Sequence, residues 1–420
     1  MKKILKTFQQ IGSSFLQEHP HALLADNPGL GKTLQVIDAA EKLGFQRIIV
    51  VCPASVRMNW YAEIEACGAN ETSWHVISYE QACKLELRDD YAPDLLVLDE
   101  VHFLKTPTSK RTQAIFGNEK GLARRARYKW CLTGTPVLNR PRELYPVLKT
   151  LASECIAPYD TFNRFAQRYC GAYYDGRSIN TRGASRLDEL AARLTPFMLR
   201  RTKADVMPEL PAKIITRIPL KLTPAEMLGV VVAETEIGDR EAFVSSAMEN
   251  FSQLGDASHL LHVAGLAKVD EVVKFVKDLL ETEDKVVVFM RHREVGARIC
   301  AAFAGNAVLY QGGMSDMGKQ HAIDLFVNDP GIRVFIGNIQ AAGTGINGLQ
   351  QVASSVVFAE LDWVPGVMSQ AVDRLHRIGQ TASAVNVYLL HAPGTLESAV
   401  LGVNNAKGRV LDKLGLGLGW

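Results

Sequence analysis

HALLADNPGLGKTLQVIDAAEKL, residues 21–43, sets the reading of everything around it. An apolar run, ALLAD, leads into a glycine-bearing turn and then into a helix-length stretch, TLQVIDAAEKL. That order puts backbone N–H groups and a helix N-terminus where phosphates can sit. The loop pattern G-x-x-x-x-G-K-[ST] is met at Gly31, Lys32 and Thr33, while Asp26 holds its first position in place of glycine. Gly29 and Gly31 allow close backbone approach, Lys32 suits the β/γ oxygens of a nucleotide, and Thr33 suits Mg2+. A glycine turn with no ligand is the plain alternative; the strand before it and the helix after it speak against that.

LLVLDEVH (95–102) is an apolar strand ending in two acids. Asp99 is placed for the magnesium shell, and Glu100 to orient or deprotonate an attacking water. Two acids at a strand end are usually only solvated, so the loop upstream gives this reading its weight. LTGTP (132–136) follows another strand and puts the hydroxyls of Thr133 and Thr135 beside the expected place of the acids. In QAVDRLHRIGQ (370–380), Arg374 and Arg377 are three apart, which on a helix gives them one face and one anion to reach. Guanidinium groups from a second lobe suit the charge on a transferring γ-phosphoryl group, although such a pair alone is an ordinary surface feature.

These pieces lie in two series of short β-rich runs alternating with helix-length segments. The first is HALLAD (21–26), RIIVVC (47–52), WHVISY (74–79), DLLVLDE (94–100) and KWCLTGT (129–135). The second is KVVVFM (285–290), AVLYQG (307–312), IRVFIGN (332–338), SSVVFAE (354–360) and NVYLL (386–390). Continuous apolar runs suit parallel strands covered on both faces. The fold class that follows is α/β, with two tandem doubly wound parallel-sheet lobes. Between the series, SRLDELAARL (185–194) and VDEVVKFVKDLL (269–280) show helical spacing. LPAK (210–213) and Pro219 mark the crossing. The expected lobes are residues 1–215, with a helical insertion at about 150–210, and residues 216–420, with one at about 222–282.

A chain of 420 residues exceeds one ordinary core. With 47% apolar and 22% charged residues it has the composition of a folded protein rather than a disordered one. Its longest apolar runs are strand-length, so no membrane association is expected, and MKKILKTFQQ lacks the apolar core of a secretory signal. Seven cysteines, an odd number without C-x-x-C spacing, argue against disulfides and zinc, and Cys52 reads as a buried thiol. A reducing compartment fits: the cytoplasm of a bacterial or bacteriophage-infected cell, or the nucleus if the cell is eukaryotic. The net charge of +2 neither requires nor excludes nucleic acid. RHR (291–293), LRRTK (199–203) and ARRARYK (123–129) can meet phosphates, though a solvated surface is the commoner fate of any one of them.

In order, the chain carries LKTFQQIG (5–12), DNPGLGKT (26–33), IIVVCPASVRMNWYAEI (48–64), DEVH (99–102), LTGTPVLNRPRELYPVL (132–148), FMLRRTKADVMPELPAK (197–213), AAGTGING (341–348) and QAVDRLHRIGQ. On these segments it resembles the Swi/Snf family of superfamily-two helicase-like ATPases. VVFAELDWVPGVMSQAVDRLHRIGQT (356–381) is most similar to the annealing-helicase branch. The resemblance implies two RecA-like lobes that turn over ATP with Mg2+. It implies Gln9 at adenine, Asp26 as the usual first loop residue, and Lys32 and Thr33 on phosphate and metal. Asp99 and Glu100 would serve hydrolysis, Arg374 and Arg377 would complete the site from the second lobe, and Gly345 would lie in the adjoining ATP-responsive loop. The implied partner is double-stranded DNA, gripped by its backbone near Pro53, Ser55, Thr344 and residues 310–315. Such a grip is independent of base sequence and sensitive to salt.

The chain departs from the family at Asn27-Pro28, where Glu-Met is common, at Val364-Pro365 in place of Asn-Pro, and at Lys319 and Gln320, where Arg is frequent. Proline removes an N–H from a loop whose amides hold phosphate. No accessory domain flanks the motifs, so a minimal monomeric version with a separate targeting partner is expected. Two other readings stand beside the duplex translocase: a strand-separating helicase on RNA or single-stranded DNA, and a catalytically silent nucleic-acid-binding scaffold. TKAD (202–205) also fits a loose guanine-reading pattern, and its place within LRRTKADV argues against that use.

Overall fold

The computed structural model describes residues 4–69, 72–88, 91–117, 121–134, 140–174, 176, 179–181, 183–235, 237–247, 251–342 and 346–413. The chain forms two compact units, built mainly from Met1–Pro208 and Glu209–Arg409.

In the first unit the strands are β1 (His21–Leu24), β2 (Arg47–Cys52), β3 (Ser73–Ser78), β4 (Leu95–Asp99) and β5 (Tyr128–Leu132). A small antiparallel hairpin follows, β6 (Tyr173–Tyr174) and β7 (Ile179–Asn180), and then β8 (Met198–Leu199). The main sheet is parallel, in the order β3-β2-β4-β5-β1-β8. Strand side chains alternate between two cores. Leu23, Ile49, Val51, Leu96, Leu98 and Cys131 pack on one face with Leu148, Phe165 and Leu190 of the insertion helices Tyr145–Leu151, Phe162–Tyr169 and Leu187–Leu194. Leu24, Ile48, Val50, Val97 and Trp130 pack on the other with Val36, Ile37 and Ala40 of the helix Lys32–Lys42. Burial on both faces explains why these strands read as unbroken apolar runs.

The second unit repeats the plan with β9 (Ala212–Pro219), β10 (Val286–Met290), β11 (Ala307–Tyr310), β12 (Val334–Asn338), β13 (Ser355–Phe358) and β14 (Ala384–His391). Its parallel sheet runs β11-β12-β10-β13-β14-β9. Val287, Phe289, Phe335, Val356 and Phe358 face one core. Val286, Val288, Met290, Ile336 and Val357 face the other, against Val272, Val273 and Val276 of the helix Val269–Leu279.

The α/β class and all ten strands of the two series are present. Each sheet has one further edge strand. β8 is too short to announce itself, and β9 is half-exposed along its length, so neither carries an apolar run. Of the prolines read as marking the crossing, Pro211 precedes β9 and Pro219 is its last residue; β9 pairs along eight positions with β14. Among the described residues, no helix is long and apolar enough to cross a membrane.

Candidate nucleotide site

The loop after β1 closes on the helix Lys32–Lys42, whose N-cap Gly31 is left-handed at φ 74°; Gly29 has φ 86°. Both conformations are open to glycine without steric cost. A Cβ on Gly31 would stand 2.4 Å from Gln9 Nε2. Gln9 is buried against the loop, donating to Leu30 O at 3.2 Å and accepting from Lys6 N at 2.9 Å. Lys32 Nζ donates to Asp26 O at 2.8 Å, and Thr33 follows half-buried in the first helical turn.

The Asp26 carboxylate turns inward and is fully buried. Arg201 donates to it three times: Nε to Oδ1 at 3.0 Å, Nη2 to Oδ2 at 2.5 Å and the backbone N to Oδ1 at 3.1 Å. Gln35 Nε2 adds a fourth bond at 3.3 Å. Arg201 also donates to the Phe8 carbonyl, and Arg200 Nη1 to Ala25 O at 3.0 Å. The LRRTK cluster therefore clamps the loop from within the unit, a role its charge alone did not reveal. Within the same segment, Thr202 and Asp205 form a capping box for the short helix Lys203–Val206, which accounts for TKAD without guanine.

Asp99 ends β4. Its Oδ2 accepts from Trp60 Nε1 at 2.8 Å, its Oδ1 from Glu100 N at 2.9 Å, and its carbonyl from Tyr79 OH at 2.8 Å. Burial and the neighbouring Glu100 charge push its carboxyl up to about 6, against the Trp60 hydrogen bond and the pull of Lys32. That pull brings the loop lysine and the strand acid into one electrostatic neighbourhood. Glu100 is a non-glycine residue at φ 53°, a strained conformation of the kind found at functional sites. Its Oε2 accepts from Thr133 Oγ1 at 3.2 Å and lies 3.2 Å from His102 Nδ1. Sheet order β4-β5-β1 sets the acids, Thr133 and the loop at the carboxyl ends of neighbouring strands, the usual ligand edge of such a sheet. Trp60 lies within the 48–64 segment and Tyr79 ends a strand run, but neither sequence context assigns them to Asp99; the tertiary fold brings them there.

Pro28 packs beside Gly134, where an added Cβ would lie 2.4 Å from its ring Cγ. Thr135, Thr344 and Gly345 lie outside the described residues. The donor set suits Mg2+ carried in with a polyphosphate. A hydroxyl (Thr33) and a carboxylate (Asp99) are hard oxygen donors, and Mg2+ is commonly bound by one or two carboxylates with phosphates and water. No group of three or more His, Cys, Asp or Glu able to hold a metal by itself occurs among the described residues.

In the second unit the helix Pro365–Val372 ends before both arginines. Arg374 and Arg377 therefore lie in the following turn and do not share a helix face, contrary to the expectation from their spacing. Leu375 is drawn into the core, His376 Nε2 meets Pro211 O at 3.0 Å, and Gln380 Nε2 donates to Ala353 O at 2.9 Å, so the chain bends where a helix would have continued. Arg377 Nη1 donates to Asn347 Oδ1 at 2.6 Å, and the charge of Arg374 acts on the Tyr310 hydroxyl.

Pro53 follows the carboxyl end of β2 and Ser55 sits in the short turn Ala54–Val56; residues 310–315 leave the carboxyl end of β11 and reach the helix cap at Ser315. Two members of RHR are engaged internally: Arg291 lies 4.0 Å over Trp363 and pairs with Asp362 at 2.9 Å, and His292 meets Glu360 at 2.6 Å, while Arg293 is exposed.

A family model described as the SNF2-related domain matches residues 13–86 and 72–229, and one described as the helicase conserved C-terminal domain matches 267–379. The chain is 32% identical over 442 aligned positions to the DNA annealing helicase and endonuclease ZRANB3 of Bos taurus, covering 97% of this chain and 40% of that protein. It is 30% identical to the SWI/SNF-related matrix-associated actin-dependent regulator of chromatin subfamily A-like protein 1 of Xenopus tropicalis, covering 98% and 45%. It thus spans less than half the length of these relatives. A solved Sulfolobus solfataricus SWI2/SNF2 ATPase core in complex with dsDNA aligns over 99% of this chain and 97% of that one, with a TM-score of 0.45 and 23% identity.

Proposed function

The chain belongs to the SNF2-related family, and we propose that it hydrolyses ATP to move along double-stranded DNA. The observation that carries this reading is the meeting of Lys32, Asp99, Glu100 and Thr133 at the carboxyl ends of β1, β4 and β5. Lys32 exchanges the Asp26 carbonyl for phosphate oxygens, and the loop amides hold the remaining charge. Thr33 and Asp99 would hold Mg2+, which would supply neutralisation of the polyphosphate charge. Glu100, oriented by Thr133 and His102, positions the attacking water and accepts its proton at the carboxylate. Gln9 contacts adenine from its seat on the loop, and Asp26 acts through the loop it anchors. Arg374 and Arg377 are the second unit's cations for the transferring phosphoryl group. DNA as the track rests on the family and on the name of the bovine relative, a DNA annealing helicase and endonuclease. A backbone grip makes the binding independent of sequence.

Comparing ATP turnover with duplex DNA, single-stranded DNA and RNA at one salt concentration tests this. Duplex DNA should stimulate turnover most, and Lys32→Ala should abolish it with the fold intact. Stimulation chiefly by single strands or RNA would favour a strand-separating helicase, and turnover indifferent to every nucleic acid would overturn the reading.

A further inference from the structure

Residues 164–186 contain five arginines, no lysine, three tyrosines and a single acid, Asp175. The helix Phe162–Tyr169 leads into the β6–β7 hairpin, and the chain returns to the helix Leu187–Leu194. The hairpin stands on a narrow neck. Gly171 N donates to Ser185 Oγ at 3.0 Å, Ser185 Oγ to Arg168 O at 2.7 Å, and Ser185 N to Tyr169 O at 2.9 Å. A Cβ on Gly183 would come within 2.9 Å of Cys170 O, so a side chain there would force the neck apart.

Arg168 and Arg186 flank that neck. With Arg164, Gln167, Tyr159 and Pro158 they line a cleft of about 550 Å³. Glu189 pairs with Arg168 at 2.5 Å and also with Arg193 at 3.1 Å, so one carboxylate answers two guanidinium groups. Asp160, close to Arg164, is paired with Lys149 at 3.0 Å. Among the described residues the Arg164 guanidinium makes one hydrogen bond, at 3.4 Å to Pro158 O. Arg186 is exposed, makes no side-chain hydrogen bond or ion pair among the described residues, and is held at φ 49°. A strained backbone presenting an unmatched guanidinium to a cleft is the arrangement of a ligand clamp, and arginine forks suit phosphate.

Beyond the neck, Tyr173 and Tyr174 are 60% and 69% exposed on opposite faces of the hairpin. Their hydroxyls are tethered by Asn180 Nδ2 at 3.2 Å and by Gly176 O at 3.1 Å. Neither ring serves the core. Aromatic rings beside a cationic cleft bind unpaired nucleotides, whose base faces are free, whereas in a duplex neighbouring base pairs cover those faces.

We propose that this hairpin and the arginine cleft at its foot bind single-stranded DNA, with phosphates in the cleft and bases stacked on Tyr173 and Tyr174. This gives the protein a second nucleic-acid surface, and the choice of DNA over RNA rests on the function proposed above. The full chain is titrated by fluorescence anisotropy with a blunt duplex, the same duplex carrying a single-stranded overhang, the free single strand, and an RNA strand of the same sequence. The overhang duplex should bind more tightly than the blunt one. Tyr173→Ala/Tyr174→Ala should weaken overhang and single-strand binding about a hundredfold, since stacking contributes a factor of about ten per base and two rings are lost. It should leave blunt-duplex affinity and duplex-stimulated turnover unchanged. Tyr173→Phe/Tyr174→Phe keeps the rings and should bind like the wild type. Arg164→Ala/Arg186→Ala should flatten the single-strand salt slope by about 1.4, the share of two phosphate contacts.

Equal binding of blunt and overhang duplexes by the wild type, unchanged binding by the double alanine variant, or tighter binding of RNA than DNA would each overturn the proposal. A wild type that prefers the overhang, yet whose turnover ignores duplex DNA, would contradict the translocase reading alone.

Discussion

Asp99 holds a carboxyl that burial and Glu100 push up to about 6, from an ordinary value of 3.8. Because the folded state keeps this proton more tightly than the unfolded chain, the group costs stability progressively as pH rises from 3.8 to about 6, and the cost is constant above that. The shift corresponds to about 2–3 kcal/mol. Asp99→Asn removes the titration. In urea unfolding without metal or nucleotide, the variant should therefore gain on the wild type by about that amount between pH 4 and pH 7, whatever constant offset the lost acceptor introduces. A pH-independent difference would contradict the buried-acid account. Turnover should be lost in the same variant. Gly134 gives a second expectation at this scale. Gly134→Ala would drive a methyl into the Pro28 ring and should cost about 1–3 kcal/mol and weaken ATP binding. Adding Pro28→Gly should restore most of both, because it removes the ring that is struck.

At the scale of elements, β8 matters beyond its two hydrogen-bonded residues. It carries Arg200 and Arg201 to the loop after β1, across 175 positions of sequence. Arg201→Met would leave the Asp26 carboxylate buried and unpaired, a loss of about 3–5 kcal/mol that should accompany weaker nucleotide binding. Asp26→Asn/Arg201→Met removes both charges and should recover much of the stability. If the single and double variants unfold alike, the clamp is not what holds the loop. The LRRTK segment was visible in the sequence as a basic cluster, but its use was not, since nothing local says that a guanidinium faces a carboxylate so far away. Strands buried on both faces, such as Leu95–Asp99 and Val286–Met290, were legible because every residue is apolar or site-forming. The half-exposed β9 was not. The turn holding Arg374 and Arg377 escaped for a related reason: three-residue spacing is compatible with a helix, and the burial of Leu375 that ends it is a tertiary fact.

Across the whole molecule, two parallel sheets each present candidate functional segments beyond the carboxyl ends of strands. The loop, the acid pair and Thr133 were legible because each adjoins the end of its own strand. Trp60, Tyr79 and the Pro28–Gly134 contact were not, because they join positions far apart in sequence. If the second unit's cations serve the reaction, Arg374→Ala and Arg377→Ala should each lower DNA-stimulated turnover by about 10³-fold or more while leaving ATP binding by the first unit nearly unchanged. Loss of ATP affinity in step with turnover would instead assign them to binding. Displacement of a third DNA strand from a duplex tests the central claim most directly, because it reads movement rather than hydrolysis. The chain should release the third strand only with hydrolysable ATP, and Lys32→Ala should release none. Vigorous duplex-stimulated hydrolysis without any displacement, or displacement that needs no ATP, would contradict a translocating motor.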